Sequence, residues 1–349
     1  MPITAYAWIH DDPFHTIFVV STTTLSVVSN GLLLCIIATT SSSNIGSYRY
    51  LLAVFALSDI VASLGHATLQ PTLHMTSSGF YFFPRYGEIM IGGRSYDTLF
   101  CLVFIATYYQ TFLVLAYHYV YRLKAVTSSL TRSVTGYWTS KQWTCLGLTI
   151  YCLYTSSLVG TCAIAFMPSD ETRALVPQEI FDVYGVDLRN PNRGFTVISV
   201  RRPNSITGEM MCHAPSIVGL SMLLAMFGGT AGVIVYCISR TISAIRSSDN
   251  HLTEKTRKMQ MDLFKALLIQ TALPLLFSYL PLATILVFPA ISRIALGVFG
   301  NVLFSSTAIF PSIDALFVLF FIGRFRVAVI RLLRLPFESN SVASDQQPT

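Results

Sequence analysis

From Ala266 to Phe288 the chain runs for 23 residues without a formal charge. An α-helix of about 20 apolar residues crosses the hydrocarbon core of a bilayer, so this stretch is long enough to do so. It is one of seven. Long, nearly uncharged stretches occupy roughly residues 16–40, 50–74, 95–121, 142–167, 213–239, 259–288 and 295–322. The acids within them are Asp59, Asp97, Asp262 and Asp314. The whole chain is 53% hydrophobic and only 11% charged, far from the composition of soluble domains. These features predict an all-α membrane protein built as a seven-transmembrane helix bundle.

The loops give the orientation, because Lys and Arg collect on the cytosolic side. One side holds Arg49, then Arg122, Lys124, Arg132 and Lys141, then Arg240, Arg246, Lys255, Arg257 and Lys258, then Arg324, Arg326, Arg331 and Arg334. The short segments of the other side hold Arg85, Arg94 and Arg293. The N-terminus is therefore outside, and the net charge of +6 describes an inner membrane face rather than a nucleic-acid surface. Residues 1–15 form an outer tail without a basic leader, so span one is expected to be retained. Residues 16–322 form the bundle, including a long outer loop at 168–212, and 323–349 form a cytosolic tail. In that tail Phe325, Val329 and Leu332 share one helical face while Arg324, Arg331 and Arg334 share another, the pattern of a short amphipathic helix lying on lipid. The long loop mixes charges, prolines and turn signals, and its length suggests a folded lid.

Span six is the most informative. Lys255, Lys258, Asp262 and Lys265 follow one another at helical spacing and form a polar stripe at its inner end. Farther out, Pro274 and Pro281 each remove an amide donor and free a carbonyl four residues earlier, so the helix is expected to kink. Pro311 does the same in span seven. Polar residues also fall at one depth: Asn30 lies nine residues before Thr39, Asp59 nine after Tyr50, and Asp314 nine before Gly323. At ~1.5 Å per residue all three sit ~13–14 Å from the inner boundary. An isolated charge in such a position is unfavourable by roughly 2.5–3.5 kcal/mol, and adjacent carboxylates resist ionising together. We expect spans one, two and seven to be neighbours, with Asn30 donating to an Asp59–Asp314 pair that shares a proton, a water or a cation.

Seven cysteines cannot all pair within the chain, and only Cys101 and Cys212, near the outer ends of spans three and five, are placed for a possible bridge. The outer halves of spans two, three and six supply Gln70, Tyr108, Tyr109, Gln110 and Tyr279 as candidate ligand contacts. No acid or base lies at mid-depth in spans three, five or six, so a small neutral ligand fits better than a charged one. His66, His74 and His213 are the outer candidates for a metal, and each reads more readily as a polar group satisfied by a neighbour; no cofactor or catalytic site is expected. An opsin is excluded because no Lys follows Lys265. A seven-span transporter of a small solute is the alternative reading, although no internal repeat supports it.

Several motifs resemble one family. They are Gly46-Ser47-Tyr48-Arg49-Tyr50-Leu51-Leu52, His118-Tyr119-Val120-Tyr121-Arg122, Leu263-Phe264-Lys265-Ala266-Leu267 with Gln270, Thr271 and Pro274, and Phe310-Pro311 with Asp314. Together they are similar to the nematode seven-transmembrane chemoreceptors of the Str class, relatives of the diacetyl odorant receptor. The resemblance implies a G-protein-coupled receptor in the plasma membrane, in the sensory cilium of a chemosensory neuron. A small odorant or soluble chemical would bind outside, a heterotrimeric G protein inside, and membrane lipid around the bundle. We place Arg122, Lys258 and Lys265 at the border of the cleft that receives the G protein. More distantly, Asn30 and Leu57-Ser58-Asp59 resemble rhodopsin-like receptors, but no acid stands beside Arg122 and span seven carries Asp314 where a Tyr is usual.

Overall fold

The computed structural model describes residues 13–39, 48–85, 89–92, 94–128, 140–204, 207–247, 271–321 and 325–331, with Met261, Phe264 and Leu268 between them. Seven helices among these residues are long and apolar enough to cross a membrane. Spans one to seven are Phe14–Thr39, Tyr48–Leu69, Asp97–Thr127, Lys141–Ala165, Ala214–Ala244, Thr271–Ser292 and Phe299–Phe320. Span one packs against spans two and seven, while span three packs against spans two, four and five. Span three is the most buried of the seven and span four the least, as expected of a central helix and a lipid-facing one.

Spans six and seven, which carry prolines away from their ends, depart from a regular helix. In span six the residues between Pro274 and Pro281 form a π-helical turn, Leu275–Tyr279. There the Leu280 amide bonds back to the Leu275 carbonyl, five residues earlier. The cause is local: Pro281 has no amide for the Phe277 carbonyl, so the ladder shifts register around the gap. Span seven divides into Phe299–Ser306 and Ile309–Phe321. Thr307 and Ala308 between them close on residues three back, at 3.0 Å each. Pro311 cannot donate to the Thr307 carbonyl, which explains where the break falls.

The outer end is covered by a small β structure that helical periodicity does not reveal. Span two stops at Leu69 rather than at 74, because Pro71 disfavours helix in the residue before it and Gln70 adopts φ 43°. Strand β1 (Pro71–Thr76) then turns into β2 (Gly79–Pro84), and β2 pairs on its other edge with β5 (Thr196–Ser199) from the loop between spans four and five. Two short ribbons, β3 (Met90–Ile91) with β4 (Arg94–Ser95) and β6 (Arg201–Pro203) with β7 (Met210–Cys212), flank it.

The run Phe80-Tyr81-Phe82-Phe83 is uniformly apolar because both faces of β2 are buried. Phe80 and Phe82 join the core of the bundle. Tyr81 and Phe83 point the other way into a second core with Val176, Ile180, Val186, Leu188, Phe195 and Val197 of the long loop. The edge of β1 pairs with the turn before span seven, where Met75 and Gly297 exchange backbone hydrogen bonds of 3.1 and 2.8 Å. Gly300 permits this approach, since a Cβ there would lie 2.9 Å from the Leu73 carbonyl oxygen.

Cys101 and Cys212 are free thiols, so the bridge considered from their positions is not formed. Cys101 faces the bundle interior, whereas Cys212 lies on an exposed strand of a separate ribbon. At the inner end residues 325–331 form the helix after span seven. Phe325 is buried against Leu33, Ile36 and Leu52, Val329 packs on the same cluster, and Arg331 is exposed.

Candidate functional site

Beneath the sheet lies a cavity of about 60 Å³. Its roof is Leu73, Phe80, Phe82, Thr196 and Ile198, and its walls include Phe104, Tyr108 and Tyr109 of span three and Leu282, Ile285 and Leu286 of span six. Its surface is almost wholly carbon, so any molecule placed there would be held chiefly by apolar burial. One water needs roughly 10–15 Å³ by such a measure, so the space suits about four to six non-hydrogen atoms.

Of the five candidate ligand contacts, Tyr108 and Tyr109 line this cavity. Tyr279 sits one layer deeper, its hydroxyl 3.1 Å from that of Thr230 in span five and its ring against Phe112 and Phe227 at 4.5 and 4.6 Å. Gln110 faces span four, donating to Thr155 at 3.1 Å and accepting from the Tyr151 hydroxyl. Gln70 sits at the joint of span two and β1, its carbonyl accepting from the Arg85 amide at 3.2 Å. The residues that the sequence reading missed are the aromatic and aliphatic ones of the sheet, because their segment reads as the end of a helix and a loop.

Halfway through the bundle, spans one, two and seven share a column of polar side chains. Asn30 donates to the Ser26 carbonyl at 3.0 Å and to the Pro311 carbonyl at 3.1 Å. The second acceptor is a carbonyl of the broken span seven. Ser63 donates to Ser26 at 2.7 Å, and Ser29 reaches the Ser312 carbonyl at 3.4 Å. Asp59 and Asp314 are both buried, and their carboxylates act on one another electrostatically. Asn30 does not donate to them, contrary to the expectation from depth alone. The Asp59 oxygens accept no hydrogen bond among the described residues. Spacing of Ser26 and Asn30 at one helical turn was the available signal for this column.

Toward the inner end, the Tyr119 hydroxyl of span three bonds the Thr271 hydroxyl of span six. Tyr48 of span two meets His118 Nδ1 at 3.0 Å and stacks on Tyr121. Arg122 is half-buried beside these rings. Lys258 and Lys265, with the rest of the polar stripe, lie outside the described residues.

The lid is fastened by a few buried polar groups. Asn301 of span seven accepts from the Leu73 amide at 2.7 Å and donates to the Tyr184 hydroxyl at 2.9 Å. That hydroxyl lies 3.2 Å from His74 Nδ1, while His74 Nε2 faces Glu179 at 3.6 Å. Burial pushes the His74 ring down to about 4 and raises the Glu179 carboxyl. Neither group gains a full charge partner from the other at that separation. At the start of span three, Asp97 accepts from the Ile89 amide at 2.8 Å and the Gly194 amide at 3.2 Å, tying two loops to one helix end. Arg173 gathers the carbonyls of Leu188, Asn190 and Arg193 within 2.8–3.0 Å. Among the described residues no group of three or more His, Cys, Asp or Glu is placed to hold a metal ion.

A family model described as the serpentine type 7TM GPCR chemoreceptor Str matches residues 15–330. The chain is 23% identical over 297 residues to a Caenorhabditis elegans protein named serpentine receptor class r-10, covering 84% of each. It is 27% identical over 270 residues to serpentine receptor class J-38 of the same organism, covering 74% of each. A crystal structure of squid rhodopsin shares its fold with a TM-score of 0.61 at 10% identity, over 100% of this chain and 94% of that one.

Proposed function

We propose, because this chain belongs to the Str family of serpentine seven-transmembrane G-protein-coupled chemoreceptors, that a small uncharged molecule occupies the cavity beneath the sheet and signals through span six. The observation that carries this reading is the cavity itself, a carbon-lined space with a folded lid above it and Leu282, Ile285 and Leu286 of span six in its wall. A molecule packed there presses on the half of span six that lies beyond the π turn. That turn, Leu275–Tyr279, has lost the regular ladder and is the natural joint. An outward swing of the inner half must break the Tyr119–Thr271 contact, and the cleft that opens would admit a helix of a heterotrimeric G protein.

We assign Arg122, Lys258 and Lys265 to the border of that cleft. We assign Asp59 and Asp314 to a resting pair that shares a proton, water or cation, with Asn30 bracing the break in span seven beside it. The chain is a multi-pass membrane protein; an external ligand places it in the plasma membrane, and the family's sensory role points to the cilium of a chemosensory neuron. Calcium imaging of cells expressing the chain, against a panel of volatile and water-soluble compounds, tests the reading. The expected result is a ligand-evoked rise that depends on a co-expressed G protein. Uptake of a compound without any second-messenger signal would replace the receptor with a transporter.

A further inference from the structure

Beside the apolar cavity lies a recess of about 10 Å³ between spans one, two, three and seven. Phe104 and Tyr108 line both spaces. The recess differs in chemistry from its neighbour, because Thr22, Thr23, Ser63, His66 and Thr307 contribute to its wall.

Most of these polar groups are already committed. Thr22 donates to the Phe18 carbonyl at 2.9 Å and Thr23 to the Ser63 carbonyl at 3.3 Å. Ser63 donates to Ser26 at 2.7 Å, and Thr307 to the Phe304 carbonyl at 2.6 Å. Two groups remain. Both ring nitrogens of His66, a residue only 4% exposed, have no hydrogen-bond partner among the described residues, and the Tyr108 hydroxyl, which lies near the Ser278 and Thr307 hydroxyls, makes no hydrogen bond of good geometry to either. The His66 ring is held between Phe304 at 5.9 Å and Phe104 at 6.1 Å, with the buried His15 of span one close enough to act on it electrostatically. A buried polar group left unpaired loses its hydration without compensation, which makes an unpaired imidazole a strong demand for a partner.

We propose that the recess is the head-group end of the ligand site, where His66 and the Tyr108 hydroxyl hydrogen-bond the one polar group of an uncharged ligand. The ligand's apolar body lies under the sheet, so the inference rests on the reading of that cavity as the ligand site. An imidazole presents both a donor and an acceptor, and a phenol does the same, so a carbonyl or a hydroxyl head is accommodated. No carboxylate, Lys or Arg lines either space, so a charged head finds no counter-ion. The sizes suit a body of about four to six non-hydrogen atoms and a head of one.

The test uses the full chain purified in detergent and three probes of matched size: butanone, sec-butanol and isopentane. Thermal stabilisation should appear with the two oxygen-bearing probes at concentrations at least tenfold below those that isopentane needs. In His66→Phe the oxygen-bearing probes should lose their advantage and isopentane should become the most potent of the three, and His66→Asn, which keeps a donor and an acceptor, should retain part of the preference. Equal potency of the three on the unmodified receptor overturns the inference, as does stabilisation by none of them, or a preference that survives in His66→Phe. The receptor reading is judged separately, by calcium responses of the same variants at equal surface expression. A His66-dependent preference in a chain that signals to no compound would leave the recess standing and remove the receptor.

Discussion

Acidifying the outer face should loosen the lid, and His74 sets the amount. Its ring titrates at 6.5 in an exposed chain and at about 4 in the closed lid, because burial disfavours the charged form. The open lid therefore binds the proton more tightly than the closed one. Stability of the closed lid is complete above pH 6.5, is lost as the pH falls through the interval, and levels off below about 4. With about 1.4 kcal/mol for each pH unit between the two values, the full loss is about 3 kcal/mol, and about 2 kcal/mol is already gone at pH 5.

Glu179 works the other way. Burial and the neighbouring Asp182 raise its carboxyl above 4.5, so its own protonation favours the closed lid at lower pH. A Glu179→Gln background removes that opposing effect. Hydrogen exchange of the amides in 71–84, corrected for the intrinsic pH dependence of exchange, reads the opening directly. Protection should be flat from pH 8 to 7 and fall by roughly thirtyfold at pH 5, the equivalent of about 2 kcal/mol. His74→Gln, which can still meet the Tyr184 hydroxyl, should flatten the curve. If protection is unchanged at pH 5, or if His74→Gln keeps the same slope, burial of this ring does not govern the lid.

Two further outcomes are expected. Pro281→Ala supplies an amide for the Phe277 carbonyl, so the π turn should relax toward regular helix; ligand-evoked or basal signalling should shift by tenfold or more at normal surface expression, and an unchanged dose–response curve would make the joint merely architectural. Asp59→Asn and Asp314→Asn should each alter signalling, and the double variant should show less than the sum of the two effects, because either change alone relieves the same electrostatic interaction; strictly additive effects would separate the two residues.

Which features could be read from the chain depends on what fixes them. Depth along a helix is set by a rise of ~1.5 Å per residue, so counting inward from the span ends brought Asn30, Asp59 and Asp314 to one level, and spans one, two and seven do lie together. Rotation about the helix axis is set by packing, and it escaped the count. Asn30 turns to the Pro311 carbonyl, and Gln110 turns to span four rather than to the cavity. The lid escaped for another reason. A strand buried on both faces loses the period-two alternation that identifies it, so Phe80-Tyr81-Phe82-Phe83 carries no strand signature, and only Pro71 marked the end of the preceding helix. The same burial gives the lid its leverage. Phe80 and Phe82 face the cavity, while His74 and the Asn301–Tyr184 contact hold the sheet to the top of span seven. Span seven in turn carries the break at Thr307–Ala308, the Pro311 carbonyl held by Asn30, and Asp314. On the proposed reading, a ligand beneath the sheet would be connected to the polar column by this run of physical contacts, and not through span six alone.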